Sequence, residues 1–240
     1  ILPLNQTSYG DSPYQSFSAF AGNPYFIDLD MLNEEGFLDE KDYINTNFGD
    51  DEEDIDYGLL FIEKLKVLRI AYEKSKHELG EDYEEFKRER SFWLHDYALY
   101  MAIKGRFNLK SWQNWAEDIK KRYAYSMDYY NRELASDIEY WKFIQYIFFK
   151  QWYKLKKYVN SLGIDIIGDM PIYVAEDSAD VWSNPQAFLS LFIIATPNPS
   201  SIKASLIIIS TCLSSNSLKV ENKLLAIVDT SFLVPKDKTK

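Results

Sequence analysis

Two stretches of this 240-residue sequence carry side chains whose types and spacing could do chemistry. The first is Tyr9-Gly10-Asp11-Ser12-Pro13-Tyr14-Gln15-Ser16. It sets aromatic rings, hydroxyls and a carboxylate beside a glycine and a proline. A sugar is held by stacking on a ring and by hydrogen bonds to its hydroxyls, and this segment supplies both. The same residue types also build a plain structural turn. Composition alone leaves both readings open. The second stretch is Gly168-Asp169-Met170-Pro171-Ile172-Tyr173-Val174-Ala175. Its aspartate follows a short apolar run, where it either caps the next turn or faces a substrate.

Other chemistry has less support. His95 stands next to Asp96, but neighbours on a helix point in different directions. The histidine therefore reads as a structural or surface residue. Two histidines, His77 and His95, argue against a multi-histidine metal centre. A single cysteine, Cys212, excludes an internal disulfide and a cysteine zinc cluster. Neither a G-x-G-x-x-G fingerprint nor a G-x-x-x-x-G-K-[ST] phosphate loop occurs, and H-E-x-x-H and G-x-S-x-G are absent too. With 27 Lys and Arg against 37 Asp and Glu, the net charge is −10. Such a balance repels phosphate backbones and speaks against nucleic-acid binding. Aromatic residues are abundant, with 15 Phe, 18 Tyr and 6 Trp. Most of them read as core and surface filler, and the remainder suit sugars or interfaces.

The elements that must position these residues are mostly helical. Residues 1–4 read as the end of a buried strand and 5–25 as a long loop rich in turn formers, of the kind that is often functional. An acidic linker at 49–56 reads as a solvated face. Helices are expected at about 58–78, 81–104, 111–134 and 137–161. The run Glu81-Asp82-Tyr83-Glu84-Glu85-Phe86-Lys87-Arg88-Glu89-Arg90 reads as a solvated helix start, with acids early and bases later. In the last helix, Ser136-x-x-Glu139 has the form of a capping box. Ile138, Trp141, Phe148, Trp152, Leu155 and Val159 then fall on one face. Gly163 supplies a left-handed stop. The run Ile164-Asp165-Ile166-Ile167-Gly168-Asp169 is too short for a helix. A helix, a glycine and a buried strand make one step of a parallel-sheet protein. That places Asp169 at the strand end which carries the chemistry in an alternating barrel.

The sequence changes character near Phe188. All 18 Tyr, 6 Trp and 9 Gly lie before position 189. Residues 189–240 hold 7 Ile, 8 Leu and 9 Ser, and they carry six Lys against three acids. Either this stretch is a small module or linker, or it is an out-of-frame translation after a disrupted reading frame. The lack of glycine favours the second, because turns need residues that tolerate positive φ. No run reaches the ~18 uninterrupted apolar residues of a membrane helix. The residues present show no charged and apolar leader, so a soluble, cytoplasmic setting is expected.

The run from Ser8 through Ser12, Pro13, Tyr14, Gln15, Ser16 and Phe17 to Gly22, Asn23, Pro24 and Tyr25 closely resembles the signature of the 4-α-glucanotransferases, the amylomaltases or disproportionating enzymes. Asp56-Tyr57-Gly58, Phe92-Trp93-Leu94-His95-Asp96-Tyr97-Ala98-Leu99 and the stretch from Gly168 to Pro185 look like later landmarks of that family, in the family's order. The resemblance covers residues 1 to about 188.

It implies an α/β fold: a partial (β/α)8 TIM-type barrel with a large helical insertion, incomplete at both ends. Residues 1–57 would hold an early barrel strand and the sugar-site loop, and 58–135 the helical insertion. Residues 136–188 would hold a barrel helix and the next strand with its loop, and 189–240 an aberrant tail outside the family pattern. The implied activity moves a segment of an α-1,4-glucan to a new 4-position of glucose or another glucan. It retains configuration through a covalent glycosyl-enzyme, which needs an ionised and a protonated carboxyl group ~5 Å apart. The implied partners are α-1,4-glucans, maltooligosaccharides and glucose, with no cofactor, no nucleic acid, no membrane and no metal.

Residue by residue, Tyr14 matches a tyrosine beside the reacting sugar, Tyr9 and Ser12 match positions lining nearby sugar subsites, and Asp169 matches the aspartate that hydrogen-bonds the sugar at the cleavage point. The R-I-D-H-type motif of the nucleophile occurs nowhere, nor do the motifs of the acid/base Glu and the third carboxylate. Glu221, Asp229 and Asp237 lie in no such context and receive no role. The expected catalytic set of this chain is therefore empty, and its activity alone is doubtful. A non-catalytic sugar-binding remnant or a helical interaction protein stand as alternatives.

Overall fold

A computed structural model describes residues 1–8, 10–51, 53–169, 174–186 and 188. Eight α-helices occur among them: α1 (Leu29–Glu34), α2 (Tyr57–Ser75), α3 (Glu81–Glu89), α4 (Leu94–Arg106), α5 (Glu117–Lys120), α6 (Ala124–Glu133), α7 (Ala135–Ser161) and α8 (Ala179–Ser183).

The two central helices are α4 and α7, which pack on each other. From Tyr97 to Lys104 every residue of α4 is buried. A helix apolar all round belongs in the middle of a core. In α7, Ile138, Trp141, Phe143, Ile144, Ile147, Phe148 and Trp152 are buried together. Helices α2, α3 and α6 pack against α7, and α8 packs against α4. Among the described residues no helix is long and apolar enough to cross a membrane.

Three expectations about the helices require correction. The helix expected over 81–104 is two helices. Between them the carbonyl of Arg90 accepts both the Trp93 and Leu94 amides. The break lets the Trp93 ring lie against Phe20 at 6.0 Å and Tyr97 at 5.8 Å. The helix expected over 111–134 is a 3-10 turn (Trp112–Asn114) followed by α5 and α6. Arg122 separates the last two in the left-handed region, φ 53°. Its guanidinium reaches Asp96 at 2.6 Å, and that ion pair leaves His95 outside it. The capping box is absent as well. Ser136 lies inside α7, and the preceding residue of the helix start, Leu134, ends α6 and opens α7. Glu139 instead binds Lys142 at 2.7 Å and accepts from the Tyr83 hydroxyl at 3.1 Å.

The stop at Gly163 is present. Its φ is 73°, its amide reaches the Asn160 carbonyl, and the Ile164 amide reaches that of Val159. These two bonds form a Schellman closure. The solvated reading of α3 holds for most of its charged residues, with acids in the first turn and Lys87 and Arg88 in the last, while Tyr83 and Phe86 are buried.

The strands show less. Among the described residues β-pairing is confined to two single antiparallel pairs, Asn5 with Gly22 and Thr7 with Ser16. Residues 1 and 167–169 are joined differently. The Ile1 nitrogen donates to the Ile167 carbonyl at 2.6 Å, and the Asp169 amide donates to the Ile1 carbonyl at 2.9 Å. This alternation, with one residue bridging two that flank its partner, is the parallel hydrogen-bond pattern. Contrary to the buried-strand expectation, Ile1, Leu2, Ile164 and Ile167 are exposed, Ile167 at 83%. Leu4 and Ile166 are partly buried against the core.

Candidate functional site

The segment 5–25 folds back on itself. The Gln6 amide bonds the Ala21 carbonyl, and the Ser8 amide bonds that of Gln15. Gly10 and Asp11 turn the tip in the left-handed region, at φ 79° and 53°. Buried Asn5 holds the returning arm by donating its amide to the carbonyls of Ser18 and Ala19, at 3.3 and 2.8 Å.

Helix α7 anchors the arm with side-chain amides that imitate a neighbouring strand. Gln145 accepts from the Gly22 amide at 2.8 Å and donates to the Gly22 carbonyl at 3.0 Å. Six residues on, Gln151 repeats this with Asp28, at 2.8 and 3.0 Å. Only glycine fits at 22, since an added Cβ would stand 2.0 Å from the Phe148 ring.

The segment 174–186 holds the arm from the other side. Asp180 accepts from Ser18 Oγ at 3.0 Å and from the Ala19 amide at 2.7 Å, and the Ala179 amide reaches the Phe17 carbonyl at 2.8 Å. Asp177 ties the same segment to α4. It accepts from Lys104 Nζ and from the Tyr100 hydroxyl, both at 2.6 Å. The Lys104 side chain has no exposed surface. Burial lowers its pKa, and Asp177 opposes that shift.

This frame brings two of the four sequence-derived site residues into contact. The Tyr14 hydroxyl donates to Asp169 Oδ2 at 2.7 Å, across 155 residues of chain. Both side chains are exposed, Tyr14 at 39%. The carboxylate accepting its proton is the main reason the Tyr14 pKa is raised. Ser12 lies beside them and accepts the Tyr14 amide on its Oγ at 3.3 Å. Tyr9 lies outside the described residues, as do residues 170–173 of the second stretch. The tail from 189 onward, with Glu221, Asp229 and Asp237, also lies outside them.

A recess of about 270 Å³ adjoins the loop, lined by Ser8, Asp11, Phe17, Tyr25, Tyr57 and Phe61 among others. The Tyr25 and Tyr57 rings are 6.2 Å apart. Burial, then the Asp11 charge, pushes the Tyr25 hydroxyl up to about 12. Sequence reading assigned neither tyrosine, although both lie in or beside quoted motifs. Among the described residues no cluster of histidine, cysteine or carboxylate side chains is suited to hold a metal ion.

A tyrosine held against a carboxylate at the tip of a helix-anchored loop is a surface fitted to polar ligands with flat faces. Comparison with known proteins narrows that class. The family model described as 4-alpha-glucanotransferase matches residues 1–194. A 4-alpha-glucanotransferase from Clostridium butyricum is 58% identical over 189 residues, covering 79% of this chain and 39% of that protein. One from Thermus thermophilus is 45% identical over 192 residues, covering 78% and 37%. Among solved structures, an amylomaltase from Streptococcus agalactiae in complex with acarbose is similar with a TM-score of 0.74 at 44% identity, covering 78% of this chain and 38% of that one. The chain belongs to the 4-alpha-glucanotransferase family. It spans less than two fifths of the length of each of these relatives.

Proposed function

We propose that this chain supplies the sugar-binding part of a 4-α-glucanotransferase, an enzyme that moves a segment of an α-1,4-glucan to a new 4-position of glucose or another glucan. The observation that carries the reading is the Tyr14–Asp169 hydrogen bond at 2.7 Å. It joins the two stretches that sequence singled out independently. Tyr14 offers its ring face to a sugar and Asp169 accepts a sugar hydroxyl, while Ser12 lines a neighbouring position and the family resemblance assigns Tyr9 another. The Tyr25–Tyr57 recess extends this surface with the same chemistry, rings bearing hydroxyls.

In this reading 1–57 contributes an early barrel strand and the sugar loop, 58–135 a helical insertion, and 136–188 a barrel helix and the next strand. The parallel bond pattern between residue 1 and 167–169 supports a partial (β/α)8 barrel. The ligands are α-1,4-glucans, maltooligosaccharides and glucose. A cytoplasmic setting accords with it, and the chemistry calls for no cofactor.

Retention through a glycosyl-enzyme requires a carboxylate nucleophile and a carboxylic acid ~5 Å apart. The family's motifs for both are missing from the 240 residues. The pure chain should therefore bind glucan without transferring it. Incubation with maltotriose tests this: no glucose and no longer glucans are expected. Conversion of maltotriose by the pure chain would show that carboxylates within these residues suffice.

A further inference from the structure

The Tyr14–Asp169 contact that seats the sugar is itself exposed. An exposed hydrogen bond competes with water and holds geometry weakly. Something buried must fix the approach of the two segments. The Tyr14 loop and the segment that follows Asp169 meet below the site at 17–19 and 179–180. Three hydrogen bonds join them there: Ser18 Oγ to Asp180 Oδ1, the Ala19 amide to Asp180 Oδ2, and the Ala179 amide to the Phe17 carbonyl. Both Asp180 oxygens are used on the loop, and the residue is buried. Ser18 Oγ also accepts the Phe20 amide at 3.2 Å, and the Ser18 carbonyl accepts Ser16 Oγ at 2.9 Å. The contact therefore reaches Ser16, two residues from Tyr14.

We propose that Asp180 is a positioning residue which, through Ser18 and Ala19, sets where the loop presents Tyr14 to Asp169 and so where the glucan ring sits. The proposal rests on the sugar-binding reading above. It requires a carboxylate. An asparagine offers one acceptor oxygen, so one of the two donors, Ser18 Oγ or the Ala19 amide, would face its NH2 group. A helix-end aspartate that merely capped α8 would not need both oxygens turned away from its own helix.

The test uses the full chain with a fluorotyrosine in place of Tyr14, its titration followed by fluorine NMR, and maltoheptaose affinity measured beside it. In the parent, the Asp169 hydrogen bond keeps the Tyr14 midpoint raised. Asp169→Asn should lower it. Asp180→Asn should lower it too and weaken maltoheptaose binding roughly fivefold to tenfold, the scale of one ordinary hydrogen bond. Ser18→Ala should move both readings in the same direction by less, and it provides the answer if Asp180→Asn does not fold. Gln151→Ala removes an equivalent clamp at Asp28 and should lower thermal stability while leaving both readings unchanged. Parent values of midpoint and affinity in both Asp180→Asn and Ser18→Ala, with the midpoint lowered in Asp169→Asn, would overturn the positioning role alone. An unchanged midpoint in Asp169→Asn would instead overturn the Tyr14–Asp169 site on which the role depends.

Discussion

Lys64 shows how a single buried charge governs the response of this fold to pH. It lies in α2 with its ammonium 5.6 Å from the centre of the Phe48 ring. Burial brings its pKa down to about 8, against a smaller upward pull from Asp28 and Asp30. In the unfolded chain it titrates near 10.5. Between those values the unfolded state binds more protons than the folded one, so stability rises with pH across that window. Tyr25 acts in the opposite sense. Its proton is held up to about 12 in the fold, so stability falls as pH climbs from 10 toward 12. Urea midpoints measured from pH 7 to 11 should therefore pass through a maximum near the point where the two effects cross. Lys64→Met should remove the rise and stabilise the protein at pH 7 by about 3 kcal/mol. A variant whose midpoints track the parent at every pH would show that the ammonium is hydrated in the fold. At this scale the candidate site was partly legible. Clustered hydroxyls, rings and carboxylates marked the two turn-rich segments, and the family resemblance singled out Tyr14 and Asp169 within them. Asp180 and Gln145 drew no role, since an aspartate in the first turn of a short helix and a glutamine within a long one are ordinary there. Their importance arises from partners 161 and 123 residues away.

Helix α7 is the element on which the site is built. Its apolar period was readable and the periodic residues are buried as far as Trp152, but residues 143–148 are buried on every face. Beyond that point the pattern continues but the packing does not, and Leu155 is 51% exposed. Periodicity records which face could be buried; which part is buried depends on what lies opposite. The helix start was misread for a related reason. Ser136 and Glu139 have capping-box spacing, but α6 leads directly into α7 at Leu134 and leaves no free helix end for a cap. Gln145 makes this helix a template for the loop, and Gln151 does the same for the backbone at Asp28 beyond it. Gln145→Ala would leave the Gly22 amide and carbonyl buried without their partners. A loss of about 2 kcal/mol is expected, the cost of unmatched buried backbone groups. Thermal denaturation gives the stability, and hydrogen exchange should show the Gly22 amide losing protection. Unchanged protection at Gly22 would mean that water replaces the glutamine.

At the scale of the whole molecule, helices were easier to read than strands. Helical order rests on local periodicity and on contacts among α2, α3, α4, α6 and α7, all within the described residues. A parallel strand is completed by neighbours far away in sequence. The runs at 1–4 and 164–169 have the apolar character of buried strands, yet Ile1, Leu2, Ile164 and Ile167 face outward. Among the described residues, only the bonds between residue 1 and 167–169 show the pairing direction. The family was legible from the near-continuous run 8–25, because its spacing of Gly, Pro, Tyr and Asn is required by the turn at Gly10, the fit at Gly22 and the anchors beneath. On the proposed reading these residues would hold a sugar-facing surface, and the carboxylates that would act on the sugar are not in recognisable motifs among them. The most direct test is calorimetric titration of the full chain with maltoheptaose, with the parent and Tyr14→Ala side by side. Saturable binding by the parent and affinity weaker by about tenfold in Tyr14→Ala are predicted, the scale of one lost aromatic contact with its hydroxyl. Equal affinities, or no binding by a folded parent, would contradict a sugar site at Tyr14 and Asp169.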